Sequence, residues 1–173
     1  EHWPEDLWQT DAEQMINLGL KWVRIGEFSW SRLEPKENEF SFEWFDRAIK
    51  TLGKVGLSII LGTPTATPPT WVIKKYPDML ALDADGRQRG FGSRRHYCFS
   101  HEGYRNQCSK IVRKLAERYG SNLYIQAWQT DNEYGCHDTT ISYSSSALKS
   151  FQNWLAKIYG NDCLLYTSPS PRD

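Results

Sequence analysis

The sequence predicts an α/β fold with parallel strands, and three observations carry the prediction. Short, near-continuous apolar runs recur, as parallel strands covered on both faces require. Helical apolar periodicity fills the intervals between them. Leu18-Gly19-Leu20 and Val55-Gly56-Leu57 repeat the same helix stop and strand start about 37 positions apart, the length of one βα module.

In chain order, the first helical face is Leu7, Trp8, Ala12, Met15 and Ile16, and the first strand is Trp22-Val23-Arg24-Ile25-Gly26. A second face, Phe45, Ala48, Ile49 and Leu52, leads to the strand Leu57-Ser58-Ile59-Ile60-Leu61-Gly62. The third face is Ile111, Val112, Leu115, Ala116 and Tyr119, before Gly120 and the strand Tyr124-Ile125-Gln126-Ala127-Trp128. Leu148, Phe151, Trp154, Leu155 and Ile158 form the fourth, before Gly160. Each face repeats at i, i+3 and i+4 and has a Gly near its end as the helix stop. Alternation of this kind implies right-handed crossovers between parallel strands. A doubly wound sheet and a (β/α)₈ barrel both satisfy it. No GxGxxG follows any strand, which weakens the nucleotide-binding form of the former. A complete barrel takes about 250 residues, so this chain would hold about half of one.

Composition bounds the function. Lys+Arg and Asp+Glu are both 21, giving zero formal net charge, which argues against nucleic acid or an anionic membrane as partner. The longest apolar run, residues 57–62, is too short to span a bilayer. Four Cys without a CxxC pair read as reduced thiols of a cytoplasmic protein, not as a disulfide framework. No signal peptide is visible, although the chain begins at Glu1 and not at Met. Aromatic residues make up 14%, with 8 Trp and 9 Tyr; core packing accounts for most of them, and sugar rings stacking on indole faces would account for others.

Two segments stand apart. The connection spanning residues 63–103 is long enough to expect a functional role, and in a barrel a loop after a strand lies on the catalytic face. Residues 163–173 abandon helical periodicity for a Ser/Pro tail that resembles sequencing-adapter read-through, so the domain is expected to be residues 1–162.

The chemical signal sits at the end of the third strand, in Trp128-Gln129-Thr130-Asp131-Asn132-Glu133-Tyr134-Gly135-Cys136-His137. A strand that turns acidic and amidic is leaving the core, and in a barrel it opens into the active-site mouth. There Glu133 could protonate a glycosidic oxygen and Asn132 could bind a hydroxyl beside the reacting carbon. Asn-Glu alone is a common dipeptide, in which the Glu more often caps a helix or pairs with an Arg.

The wider context decides otherwise. Glu1-His2-Trp3-Pro4-Glu5-Asp6, Val23-Arg24-Ile25-Gly26-Glu27-Phe28-Ser29-Trp30, Leu61-Gly62-Thr63-Pro64-Thr65-Ala66-Thr67-Pro68-Pro69, Gly90-Phe91-Gly92-Ser93-Arg94-Arg95-His96-Tyr97-Cys98 and the Asn132–Glu133 block occur in the order and spacing of glycoside hydrolase family 42. Over residues 1–161 the chain resembles that family. The resemblance implies part of a (β/α)₈ TIM barrel, strands two to four with their flanking helices from the N-terminal half of the catalytic domain. It further implies Glu133 as catalytic acid/base, Asn132 as the contact to the sugar beside the reacting centre, and Arg24 and Arg94 as arginines lining a galactose pocket. The nucleophile, another Glu, would lie beyond this chain, so the 173 residues alone are expected to be inactive. The expected substrate is a β-galactoside or galacto-oligosaccharide, with no cofactor and a homo-oligomeric full-length parent. Glu133 must carry a proton in the first step, which calls for burial and a neighbouring negative charge.

Other residues and functions compete. Glu27 is expected to pair with an Arg at the barrel mouth, Asp131 to point away from Asn132 into packing or a contact that supports the site from behind, and Glu34, Glu37 and Glu39 to be solvated. Cys98 matches one ligand of a structural zinc found in some family members, but Ser142, Ser144 and Ala147 occupy the other positions; no metal is expected and Cys98 reads as buried and inert. The alternatives are an α-L-arabinopyranosidase of the same family, a noncatalytic sugar-binding barrel, and another Asn-Glu barrel hydrolase.

Overall fold

In a computed structural model, which describes residues 2–92, 95–136 and 139–160, three parallel strands run in the order β1 (Trp22–Ile25), β2 (Ser58–Gly62), β3 (Ile125–Gln129). They match the expected runs to within a residue at each end. Pairing aligns Arg24 with Ile60 and Leu61 with Trp128, and the register slips between Ile59 and Ile60, so that Ile59 faces Ile125 while Ile60 faces Ala127. Thr63 N–H donates to the Gln129 carbonyl at 2.8 Å, carrying the β2–β3 ladder past the strand end.

Strand alternation divides the sheet into two faces. One presents Val23, Ile25, Ile59 and Leu61, and it packs against α3 (Glu43–Lys54) through Phe45 and Ile49, and against α5 (Glu102–Tyr119) through Ile111, Leu115 and Tyr119. The other presents Arg24, Ile60, Ala127 and Gln129. An apolar face packed on helices and an opposite face that ends in polar side chains are the arrangement of a barrel wall. The first helix, α1 (Trp8–Asn17), lies beside α3. Asp46 of α3 ties it to α5 by accepting from Tyr119 Oη at 2.8 Å and pairing with Arg118.

Two short helices inside connections, α2 (Trp30–Leu33) and α4 (Thr70–Lys75), have no periodic signal because each is shorter than two turns. The long connection after β2 is a packed excursion. Val72, Met79, Ala81, Tyr97 and Cys98 are buried in it, and its two arms are bonded from Ala81 N–H to the His96 carbonyl and from Cys98 N–H to the Met79 carbonyl. The last helix, α6 (Ser145–Tyr159), is capped by Ser144, which accepts from Ala147 N–H at 3.3 Å, yet none of its residues is buried. The expected apolar stripe exists, but Leu148, Phe151, Trp154 and Ile158 all stand more than half exposed.

Glu34 departs from expectation. It is fully buried, not solvated: its carboxylate accepts from Trp30 Nε1 at 3.0 Å, Asn38 N–H at 2.9 Å and Lys110 Nζ at 2.6 Å. The cation that makes burial tolerable arrives from α5, far along the chain, where no local pattern reveals it. Glu37 and Glu39 pair with Lys75 and Lys36 at the surface. Among the described residues no helix is long and apolar enough to cross a membrane, and no three His, Cys, Asp or Glu side chains gather as a metal site.

Candidate active site

β3 delivers its last polar side chains to the carboxyl end of the sheet. Two glycines make room for them. Gly26, at φ +98, takes the chain out of β1 in a conformation L side chains rarely adopt, and a Cβ there would sit 2.8 Å from Phe45. Gly62 would place a Cβ 2.9 Å from the backbone nitrogen of Glu27, so its bare face lets Glu27 close over the strand end.

In that position Glu27 accepts from Arg24 Nε at 2.9 Å, the pairing expected of it. Arg24 Nη1 in turn donates to Gln129 Oε1 at 2.9 Å. Gln129 Nε2 donates to the Asp131 carbonyl at 2.8 Å and lies 3.4 Å from Asn132 Oδ1. Arg24 and Asn132, two of the expected site residues, are thus joined through one side chain, Gln129, to which the family resemblance attached no role. The sequence held a signal for it: Gln129 is the polar end of an apolar strand, two positions past Ala127 and so on the same face as Arg24.

The turn after β3 is held from below. Asp131 and Glu133 adopt left-handed φ values of +56 and +49, which cost non-glycine residues about 1 kcal/mol each unless the surroundings enforce them. Enforcement comes through Asp131, which is buried. Its N–H donates to Thr63 Oγ1, its carboxylate accepts from Thr65 Oγ1, and the same carboxylate accepts from Asn132 N–H, each at 2.7 Å. Arg95, also buried, faces it at 3.2 Å as an ion pair and not an aligned hydrogen bond, with its guanidinium 5.3 Å from the Tyr134 ring centroid. Asp131 runs into the interior and holds Asn132 by the backbone, the supporting contact that was one of the two roles expected of it.

The layer beneath is aromatic. Tyr104 donates to the Thr65 carbonyl at 2.8 Å and stacks on Tyr97 at 4.3 Å between centroids. Burial pushes both phenols well above the usual tyrosine range, so neither serves as an acid or base near neutrality. Cys108 beside them is pushed up to about 12, first by burial and also by the charge of Asp131.

Asn132 is buried and Glu133 exposed, so these elements supply the carboxyl but not the enclosure that a proton donor calls for. Arg94 lies outside the described residues. A mostly apolar cavity of about 410 Å³ between α1, β1 and α3 opens on the helix-packed side of the sheet, away from Arg24, Gln129 and Asn132.

The chain is similar to known proteins of one family. The family model for glycoside hydrolase family 42, described as β-galactosidase, matches residues 1–166. The chain is 51% identical over 160 residues to a β-galactosidase of Thermus thermophilus, covering 92% of this chain and 25% of that protein. A β-galactosidase of Halorubrum lacusprofundi is 45% identical, with 93% and 23% covered. Among solved structures, the β-galactosidase of the psychrophilic Marinomonas ef1 superimposes with a TM-score of 0.89 at 52% identity, over 92% of this chain and 24% of that one. Gan42B, a family 42 β-galactosidase, gives 0.84 at 34%, over 93% and 23%. The chain spans about a quarter of the length of the relatives it matches.

Proposed function

Since the chain belongs to glycoside hydrolase family 42, we propose that the full-length protein is a retaining hydrolase of terminal β-D-galactosides, with Glu133 as its acid/base. Every relative described above bears the name β-galactosidase. The observation that carries the reading here is the buried scaffold under Asn132 and Glu133. Three 2.7 Å hydrogen bonds and an ion pair hold a strained turn at the carboxyl end of a parallel strand, where barrel enzymes work.

The reaction then follows from physical requirements. A retaining hydrolase holds two carboxyl groups about 5–5.5 Å apart across the scissile bond. Glu133 is one of them, and the nucleophile belongs to the remainder of the barrel. Glu133 protonates the departing oxygen as the nucleophile attacks the anomeric carbon. Once the glycosyl-enzyme has formed the nucleophile is neutral, and Glu133, now ionised, takes a proton from the attacking water. Arg24 and Arg94 orient hydroxyls, and Asn132 binds the one beside the reacting carbon. The segment alone lacks the second carboxyl and is expected to be inactive.

The test is the turnover by the full-length protein of nitrophenyl β-D-galactopyranoside, β-D-glucopyranoside and α-L-arabinopyranoside. The galactoside should give the highest kcat/KM. Preference for the arabinoside would reassign the substrate, and turnover of none would leave only sugar binding.

A further inference from the structure

The polarity of the hydrogen bonds around Gln129 can be read without ambiguity from its neighbours. A guanidinium only donates, so the Gln129 atom 2.9 Å from Arg24 Nη1 is the carbonyl oxygen. A backbone carbonyl only accepts, so the atom 2.8 Å from the Asp131 oxygen is the amide nitrogen. The two neighbours thus fix the same orientation of the side-chain amide from opposite ends. The backbone of Gln129 is fixed as well, paired with Gly62 in the ladder and accepting from Thr63 N–H. A second N–H of the same amide group faces Asn132, and the atom it meets at 3.4 Å is Oδ1.

We propose that Gln129 is a positioning residue that fixes the orientation of the Asn132 amide, so that Asn132 turns its N–H and not its carbonyl oxygen toward a sugar hydroxyl. The inference rests on the reading of Asn132 as the contact to the hydroxyl beside the reacting carbon. An N–H at that place binds the hydroxyl oxygen and leaves the hydroxyl proton for another acceptor. A carbonyl there would consume that proton. The orientation begins at Glu27, which holds Arg24 by Nε and so directs Nη1 to Gln129.

The experiment measures, in the full-length enzyme, kcat/KM for an aryl β-D-galactoside divided by that for its 2-deoxy analogue. Gln129→Met removes all three polar contacts, and Gln129→Glu keeps the shape and the Arg24 partner but can no longer donate to Asn132 or to the Asp131 carbonyl. If Gln129 sets the amide, the ratio falls by about tenfold in both, the worth of one hydrogen bond that strengthens in the transition state. A wild-type ratio in Gln129→Glu overturns the proposal, because support of Arg24 alone would then suffice. So does an equal loss on both substrates, which marks a structural role. Should Gln129→Met fail to fold, Gln129→Glu decides alone. Asn132→Ala reports on the underlying reading. If it keeps the wild-type ratio, the sugar contact is wrong and the proposal falls with it; if it erases the ratio while the Gln129 variants retain it, the proposal alone falls.

Discussion

Arg95 and Asp131 meet at 3.2 Å in the interior, one from the end of the long connection after β2 and the other from the turn that follows β3. The same Asp131 carboxylate takes the Thr65 hydroxyl from the start of that connection, so both arms of the loop converge on the residue before Asn132. Removing the charge leaves a buried guanidinium without its partner, at a cost of about 3 kcal/mol. Asp131→Asn is therefore expected to lower the unfolding free energy by about that much, and Thr65→Val by about 1.5 kcal/mol. Denaturant unfolding of the full-length protein checks both, and a Thr65→Val loss as large as that of Asp131→Asn would contradict the assignment.

Glu34 and Lys110 make a second prediction of the same kind. Lys110→Met strands a fully buried carboxylate and is expected to destabilise by about 3 kcal/mol. Glu34→Gln combined with Lys110→Met should cost less than the two single changes added together, because the uncompensated charge is gone. Additive losses would show that the pair is not coupled.

Asp46 sets a pH dependence. The Arg118 hydrogen bond, then that of Tyr119, holds its carboxyl below the usual range against the opposing effect of burial. A depressed folded-state value contributes stability above the unfolded value of about 3.9 and loses it as pH falls through and below that point. The stability difference between wild type and Asp46→Asn should accordingly shrink between about pH 5 and pH 2, and solvent screening keeps it under about 1 kcal/mol even at neutrality. A difference that stays constant across that interval would contradict this.

Cys108 should be inert in the folded protein. Pushed up to about 12, chiefly by burial, its thiol has almost no thiolate near neutrality. Alkylation followed by mass spectrometry should find the partly buried Cys108 modified far more slowly before unfolding than after it, and rapid labelling of the native protein would contradict its raised pKa.

Much of this was legible in the sequence, for identifiable reasons. β1, β2 and β3 announce themselves as short, near-continuous apolar runs, although only the face toward α3 and α5 is packed within this segment. α1, α3 and α5 show a helical stripe because each has one packed face. Long-range polar contacts leave no periodic trace. Glu34 looks like a surface acid because Lys110 lies 76 residues away, and the polar end of β3 marks Gln129 without telling that its partner is Arg24, 105 residues before it. The family motifs direct attention to Arg94, which lies outside the described residues, and give no hint that Arg95 is buried against Asp131. The stripe of α6 was equally readable, but a periodic pattern tells which side of a helix is apolar and not whether this segment covers it.

The most direct test of the central claim is the leaving-group dependence of Glu133→Gln in the full-length enzyme. Turnover of lactose, whose glucose leaving group needs a proton, should fall by about a thousandfold. The first step on dinitrophenyl galactoside, which departs without one, should fall far less. Lactose cleavage at the wild-type rate would contradict the assignment of Glu133 as the acid.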